Sequence, residues 1–342
     1  VTMDVLGIPV VLTSLAKDTA NLRESFEHLP QCIEQFIDKY GPHTFDRIGF
    51  NMVPFNAGAM EHATNIAYPV STIANGSKAS ETLFAHELAH HWWGNTTTCN
   101  SQEEMWLNEG WASYSEALFL EAVYGKARYK SYVEKNHRKV LQFAHARDGQ
   151  SLPVSGIGWE HTYGSHVYDK GADMVHTLRG IMGDDAFFNA CKSFQQKFKL
   201  KDVSTTDMEK EFQNFTSVDL APFFSQWVKE EGFAHFDFHY IIENNGIYAV
   251  NLKQTPRFNN EVYQIPLQLT AFDKAFNRYD TTVLIKDKEQ EFRIKPGFDA
   301  VLWAIDYDEK ISDATTTIGH VVDKSGGYIF QEDVLATILI DS

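Results

Sequence analysis

The sequence predicts an α+β fold: a mostly helical domain with strands near its N-terminal end, followed by a small all-β sandwich. Two observations predict it. Apolar residues recur at helical spacing through the middle of the chain, and after Gly232 short β-branched and aromatic runs separated by turn signals replace them. The length of 342 residues fits about two domains at roughly 150 residues each.

In chain order, Leu22, Phe26, Leu29, Ile33, Phe36 and Ile37 mark one amphipathic helix over 17–40, ended by Gly41-Pro42. The alternation in 47–54 reads as a strand, and 56–69 is glycine-broken and extended. Leu83, Phe84, Leu88 and Trp92 give a helix from 80 that stops at Gly94-Asn95, and a second runs over 104–124 to Gly125. Further helices are expected over 126–145, 169–182, 184–198, 206–215 and 220–230. Six runs then alternate as strands: FDFHYIIE, GIYAVNLKQ, YQIPLQLTAF, RYDTTVLIK, EQEFRI and AVLWAID. The division is therefore 1–233, 234–310 and a β-rich tail, 311–342, in which EDVLATILI reads as one more strand or the start of a further domain. Segment 1–14 lacks the basic region and cleavage site of a signal peptide and reads as the interior of a longer protein.

Thirty Lys plus Arg against 46 Asp plus Glu give a net charge of −16, which repels nucleic acid and anionic membranes. No stretch is apolar enough to span a bilayer. Cys32, Cys99 and Cys191 form no CxxC pair and read as buried thiols.

The chemistry concentrates in His86-Glu87-Leu88-Ala89-His90. Residues four apart on a helix share a face, so both imidazoles can reach one metal while Glu87 projects beside them. Two satisfied histidines on a half-buried helix would spell the same motif, so a third ligand is needed. After the intervening segment 91–108 comes Glu109, in the first turns of the second helix, where a carboxylate can meet the same ion. Two His, one Glu and an open position are the ligand set of catalytic zinc hydrolases. Glu103 and Glu104 read as solvated, His91 as a packing or supporting residue, and Trp92 and Trp93 as core.

HELAHHWWGN followed by WLNEGWASY, and preceded by Gly58-Ala59-Met60-Glu61, resembles the zinc aminopeptidases that include aminopeptidase N and leukotriene hydrolase. The resemblance implies a thermolysin-like catalytic domain holding one zinc ion, then a β-sandwich. It further implies a peptide substrate with a free N-terminus. Gly58, Ala59 and Met60 would line the peptide and Glu61 would hold its α-amine, although the family's usual Asn is replaced by His62. By the same comparison Tyr168, in Tyr168-Asp169-Lys170-Gly171, stabilises the oxyanion, with Tyr163 the alternative, and Glu87 acts as general base. Family members carry an N-terminal domain that would complete the amine site, so this chain alone is expected to hydrolyse weakly. Three rivals stand beside this reading: a degenerate interaction scaffold, an endopeptidase, and epoxide hydrolysis as in leukotriene hydrolase. The Met60-Glu61-His62 variant and the β-rich ending look similar to exported bacterial members, which leans to an extracytoplasmic setting. Asn95, one of three sequons with Asn75 and Asn214, lies close to the metal helix and leaves little room for a glycan.

Overall fold

A computed structural model describes residues 1–56, 58–259, 262–314, 320–322 and 328–329. They fall into two compact units, Val1–Leu220 and a second beginning at Ala221.

The first unit opens with a hairpin that periodicity did not reveal, β1 (Thr2–Val5) and β2 (Ile8–Thr13). Leu6 and Gly7 both adopt positive φ in its two-residue turn, the geometry that suits the twist of adjoining strands. β3 (Ile48–Val53) and β4 (Ile66–Pro69) extend it in the order β1-β2-β3-β4, parallel from β2 onward. The crossover from β2 to β3 contains α1 (Thr19–Ser25) and α2 (Leu29–Tyr40), so the single helix expected over 17–40 is two. Pro30, in the first turn of α2, accounts for the break: its ring would meet the carbonyl of Phe26 in a continuous helix.

α3 (Glu81–Ala89) carries the HExxH motif and ends earlier than its pattern suggests. The following turn consumes the carbonyls that a longer helix would use. Asn95 N–H donates to His90 O at 2.8 Å, Thr96 Oγ1 to His91 O at 2.6 Å and Thr97 N–H to Trp92 O at 3.1 Å. A short strand, β5 (Thr97–Cys99), leads through a 3-10 segment, Gln102–Leu107, into α4 (Glu109–Tyr124). Gly125 closes α4 as expected, at φ 86°. α5 (Lys126–Lys139) continues through a π turn, Val140–Ala144, into α6 (His145–Arg147).

A second π turn, His166–Lys170, precedes α7 (Gly171–Met182). α8 (Asp184–Lys197), β6 (Lys201–Val203), parallel to β5, and α9 (Thr205–Phe212) follow. Ser204 and Asp207 form a capping box at the start of α9.

The core of this unit is aromatic. Trp93, in the turn after α3, stacks on Trp111 of α4 with ring centroids 3.7 Å apart, and Trp111 stacks in turn on Phe187 of α8. This stack locks the metal-motif helix to its neighbour. Cys32 and Cys191 are buried as expected, whereas Cys99 is only half-buried.

In the second unit, α10 (Ala221–Phe223) and a π turn, Phe224–Val228, occupy the expected helical stretch. Each of the six strand runs forms a strand: β7 (Phe236–Ile242), β8 (Tyr248–Gln254), β9 (Ile265–Phe272), β10 (Arg278–Ile285), β11 (Glu289–Ile294) and β12 (Leu302–Ile305). With β13 (His320–Val322) and β14 (Tyr328–Ile329) they make two sheets, β10-β9-β12 and β11-β8-β7-β13-β14. Trp303 of β12 meets Tyr240 and Tyr248 of the other sheet at 6.2 and 5.6 Å between ring centroids, which makes the pair a sandwich. EDVLATILI lies outside the described residues.

Candidate metal centre

His86 on α3 and His90, the residue that caps its C-terminal end, stand one turn apart, their rings 4.9 Å apart between centroids. Glu109 is the first residue of α4, which packs on α3. The three side chains are buried, and one ligand atom from each lies within 4.8 Å of the others. Glu109 Oε2 is 3.3 Å from Nε2 of both histidines. Two ligand atoms at about 2.0–2.2 Å from one tetrahedral ion stand about 3.3–3.6 Å apart, so this spacing fits a shared metal.

The remaining imidazole nitrogens are also held. His86 Nδ1 lies 3.0 Å from Glu116 Oε1, whose other oxygen accepts from the Tyr132 hydroxyl at 2.5 Å. His90 Nδ1 lies 2.9 Å from the Trp93 carbonyl. With each Nδ1–H engaged, each Nε2 presents a lone pair to the common space, the arrangement that orients histidine ligands. Glu116 was not anticipated from the sequence. Its signal was there, because a residue seven beyond Glu109 returns to the same face of α4 after two turns.

Glu87 points into the same region with Oε2 buried and unpartnered. Burial pushes its carboxyl up to about 7, the charges of Glu61 and Glu109 add to that, and His86 and His90 oppose it. An orphaned buried carboxylate oxygen beside three convergent ligands is what a site built around a cation and a water leaves behind. For Glu109 burial acts upward, but His90 and His86 outweigh it and hold the carboxyl well below the usual range.

Tyr168 sits in the π turn His166–Lys170, half-buried, with its ring parallel to that of His86 at 6.2 Å between centroids. Burial and the neighbouring Glu109 carboxylate raise its phenol, which therefore stays a donor at neutral pH. Tyr163 is 67% exposed.

Gly58 takes φ +66°, and the chain then runs along the edge of β4, where Met60 exchanges both backbone hydrogen bonds with Ala67 at 2.9 Å. Gly58 and Met60 are exposed, Ala59 and Glu61 half-buried and His62 exposed. Asn95 Nδ2, from the turn after α3, donates to the Glu61 carbonyl at 2.8 Å, so the Asn95 side chain is engaged. The Glu61 charge acts on Glu87, His90 and Tyr168.

Three sequence readings resolve at this level. His91 is fully buried and bonds through Nδ1 to His43 Nε2 at 2.9 Å, a supporting role as expected. Trp92 and Trp93 are core. Glu104 corrects its solvated reading: it is half-buried and accepts from Ser155 Oγ at 2.9 Å and from Thr205 Oγ1.

The family model for the Peptidase family M1 domain matches residues 23–227. Aminopeptidase M1-B of Oryza sativa subsp. japonica is 26% identical over 209 residues, 56% of this chain and 23% of the relative. Among solved structures, Legionella pneumophila aminopeptidase A in complex with aspartic acid gives a TM-score of 0.72 at 16% identity, covering 90% of this chain and 36% of that one. An M1 zinc metallopeptidase from Deinococcus radiodurans, bound to a Tyr-Ser-Ala substrate, gives 0.55 at 20% identity, covering 67% and 50%. The alignments span about a quarter of the length of the first curated relatives, 23% in each of three.

Proposed function

The chain belongs to peptidase family M1, and from that membership and the site we propose that it is a zinc-dependent aminopeptidase acting on peptides with a free N-terminus. The observation that carries this reading is the convergence of His86, His90 and Glu109 with the unpartnered Glu87 oxygen. The three ligands would hold one zinc ion, which when bound polarises the scissile carbonyl and acidifies a water.

The chain's own groups supply the rest. Glu87, its Oε2 buried and unpartnered beside the ligands, accepts the water proton and passes it to the departing amine. Tyr168 donates its phenolic hydrogen to the oxygen on which charge develops. Glu61 pairs with the substrate's ammonium, which an internal peptide residue cannot offer, so cleavage counts from the N-terminus. Gly58, Ala59 and Met60 present a backbone edge beside it, held by the pairing of Met60 with Ala67. Asn95, gripping the Glu61 carbonyl, ties that edge to the end of α3.

The test measures metal stoichiometry together with hydrolysis of an amino-acid amide and its N-acetylated counterpart. One zinc per chain and cleavage of the free amine alone are expected. Equal cleavage of both substrates means an endopeptidase, and a zinc-loaded chain that cleaves neither means a scaffold.

A further inference from the structure

Tyr168 is presented by a π turn, and short π segments inside helices need something to hold them. A buried polar cluster does so here. Asp148, its side chain 6% exposed, receives three donors from the start of the turn. Ser165 N–H donates to Oδ1 at 3.0 Å, and Oδ2 accepts His166 N–H at 2.9 Å and His166 Nδ1–H at 2.6 Å. The other ring nitrogen of His166 accepts the Leu152 N–H at 3.2 Å. Engagement at both ends fixes the neutral tautomer with its proton on Nδ1. Burial would raise the Asp148 carboxyl, but these donors outweigh it and hold it below its usual range.

The cluster continues directly to Tyr168. Gly164, whose carbonyl accepts the Tyr168 N–H at 3.2 Å, lies so close to Asp148 that a Cβ there would stand 2.8 Å from both carboxylate oxygens. Lys170, at the end of the turn, donates to the Leu152 carbonyl at 3.1 Å. Both ends of the turn are thereby fastened to residues 148–152, and Tyr168 stands between the fastenings.

We propose that Asp148 and His166 are positioning residues for Tyr168: the carboxylate fixes where the turn begins, the imidazole fixes its depth, and together they hold the phenol where the oxyanion forms. The inference rests on Tyr168 being the oxyanion donor. Displacing a catalytic group by about 1 Å costs about a hundredfold in rate, so a modest loosening of the turn is enough to be measured.

The zinc-loaded chain with 3-fluorotyrosine installed at position 168 gives a readout that needs no turnover. Asp148→Asn strips an acceptor from the turn; His166→Asn keeps a donor towards Asp148 and gives up only Leu152, so it carries the same test if the first variant loses the fold. Each is expected to move or broaden the fluorine resonance and to lower kcat about tenfold or more, with KM, zinc content and the circular-dichroism spectrum unchanged. In a Tyr168→Phe background Asp148→Asn should add less than about a twofold loss, because its route to the reaction is already cut. An unmoved resonance, or losses that multiply in the Phe background, would overturn the pair's role. A Tyr168→Phe variant at the wild-type rate overturns the oxyanion reading instead, and a resonance that still moves in Asp148→Asn keeps the two failures apart.

Discussion

Glu87, the proposed general base, is a buried carboxylate whose Oε2 has no hydrogen-bond partner. Burial lifts the carboxyl to about 7. Glu87→Gln keeps the shape and removes the accepting charge. We expect zinc content to be retained and kcat to fall by about 10²–10⁴-fold; full turnover would exclude Glu87 from proton transfer. The ligand set was legible because its geometry is written in spacing: His86 and His90 one turn apart, Glu109 opening the next helix. Glu116 was equally legible by spacing and was passed over. The hold of the Trp93 carbonyl on His90 and of Asn95 on the Glu61 carbonyl was not legible, because it depends on how the chain turns after α3. Glu104 misled for a related reason, since its hydroxyl partners Ser155 and Thr205 come from distant segments.

Between elements, a close backbone approach in the first unit joins α4 to α7. A Cβ on Gly110 would lie 2.9 Å from the Gly171 Cα, and one on Gly171 equally close to the Gly110 Cα. Gly110 follows Glu109, and Gly171 follows the turn bearing Tyr168, so this contact sets the spacing of ligand and phenol. Gly110→Ala should cost about 1–3 kcal/mol in stability and lower kcat as well, read by thermal unfolding and steady-state kinetics. In the second unit, Asp306 is buried after β12 and accepts Lys310 N–H and Ile311 N–H at 2.9 Å, yet burial pushes its carboxyl up to about 7. Folding then favours the protonated acid over a chain in which it ionises near 3.8. The stability it contributes is present below that value and is lost as pH rises towards 7. Asp306→Asn should unfold with a shallower pH dependence than wild type across this window; parallel curves would show that Asp306 does not titrate there. Helix and strand existence was readable from periodicity, whereas breaks were not: one proline divides the first long helix, and consumed carbonyls shorten α3.

At the scale of the whole molecule, all three candidate metal ligands belong to the first unit, and among the described residues the sandwich offers no comparable group. Chelation should therefore lower the unfolding temperature of the first unit and leave that of the second in place. A ligand at about 1,000 times its Kd contributes about 4 kcal/mol, so calorimetry with and without chelator resolves the effect. A uniform shift of both transitions would mean that the units unfold as one. Six strands of the second unit, β7 to β12, were legible because alternation survives in antiparallel pairs with one face wet, whereas β13, parallel to β7, and the short β14 were not. The hairpin at 1–14 was not, since its turn depends on Leu6 taking a positive φ that no residue type announces.

Electroneutrality gives the crowding of the site a further meaning. Glu61, Glu87, Glu109 and Glu116 surround two imidazoles that must be neutral to ligate, inside a chain whose net charge is already −16. On the proposed mechanism a divalent ion and the ammonium of an arriving peptide would offset three of these four charges, and the proton that Glu87 takes from water would move the remaining negative charge from the carboxylate to the attacking oxygen without changing the sum. The site would thus stay one negative charge short of balance throughout the reaction, and departure of the products, with the proton on the leaving amine, would restore the full negative charge that attracts the next cationic terminus.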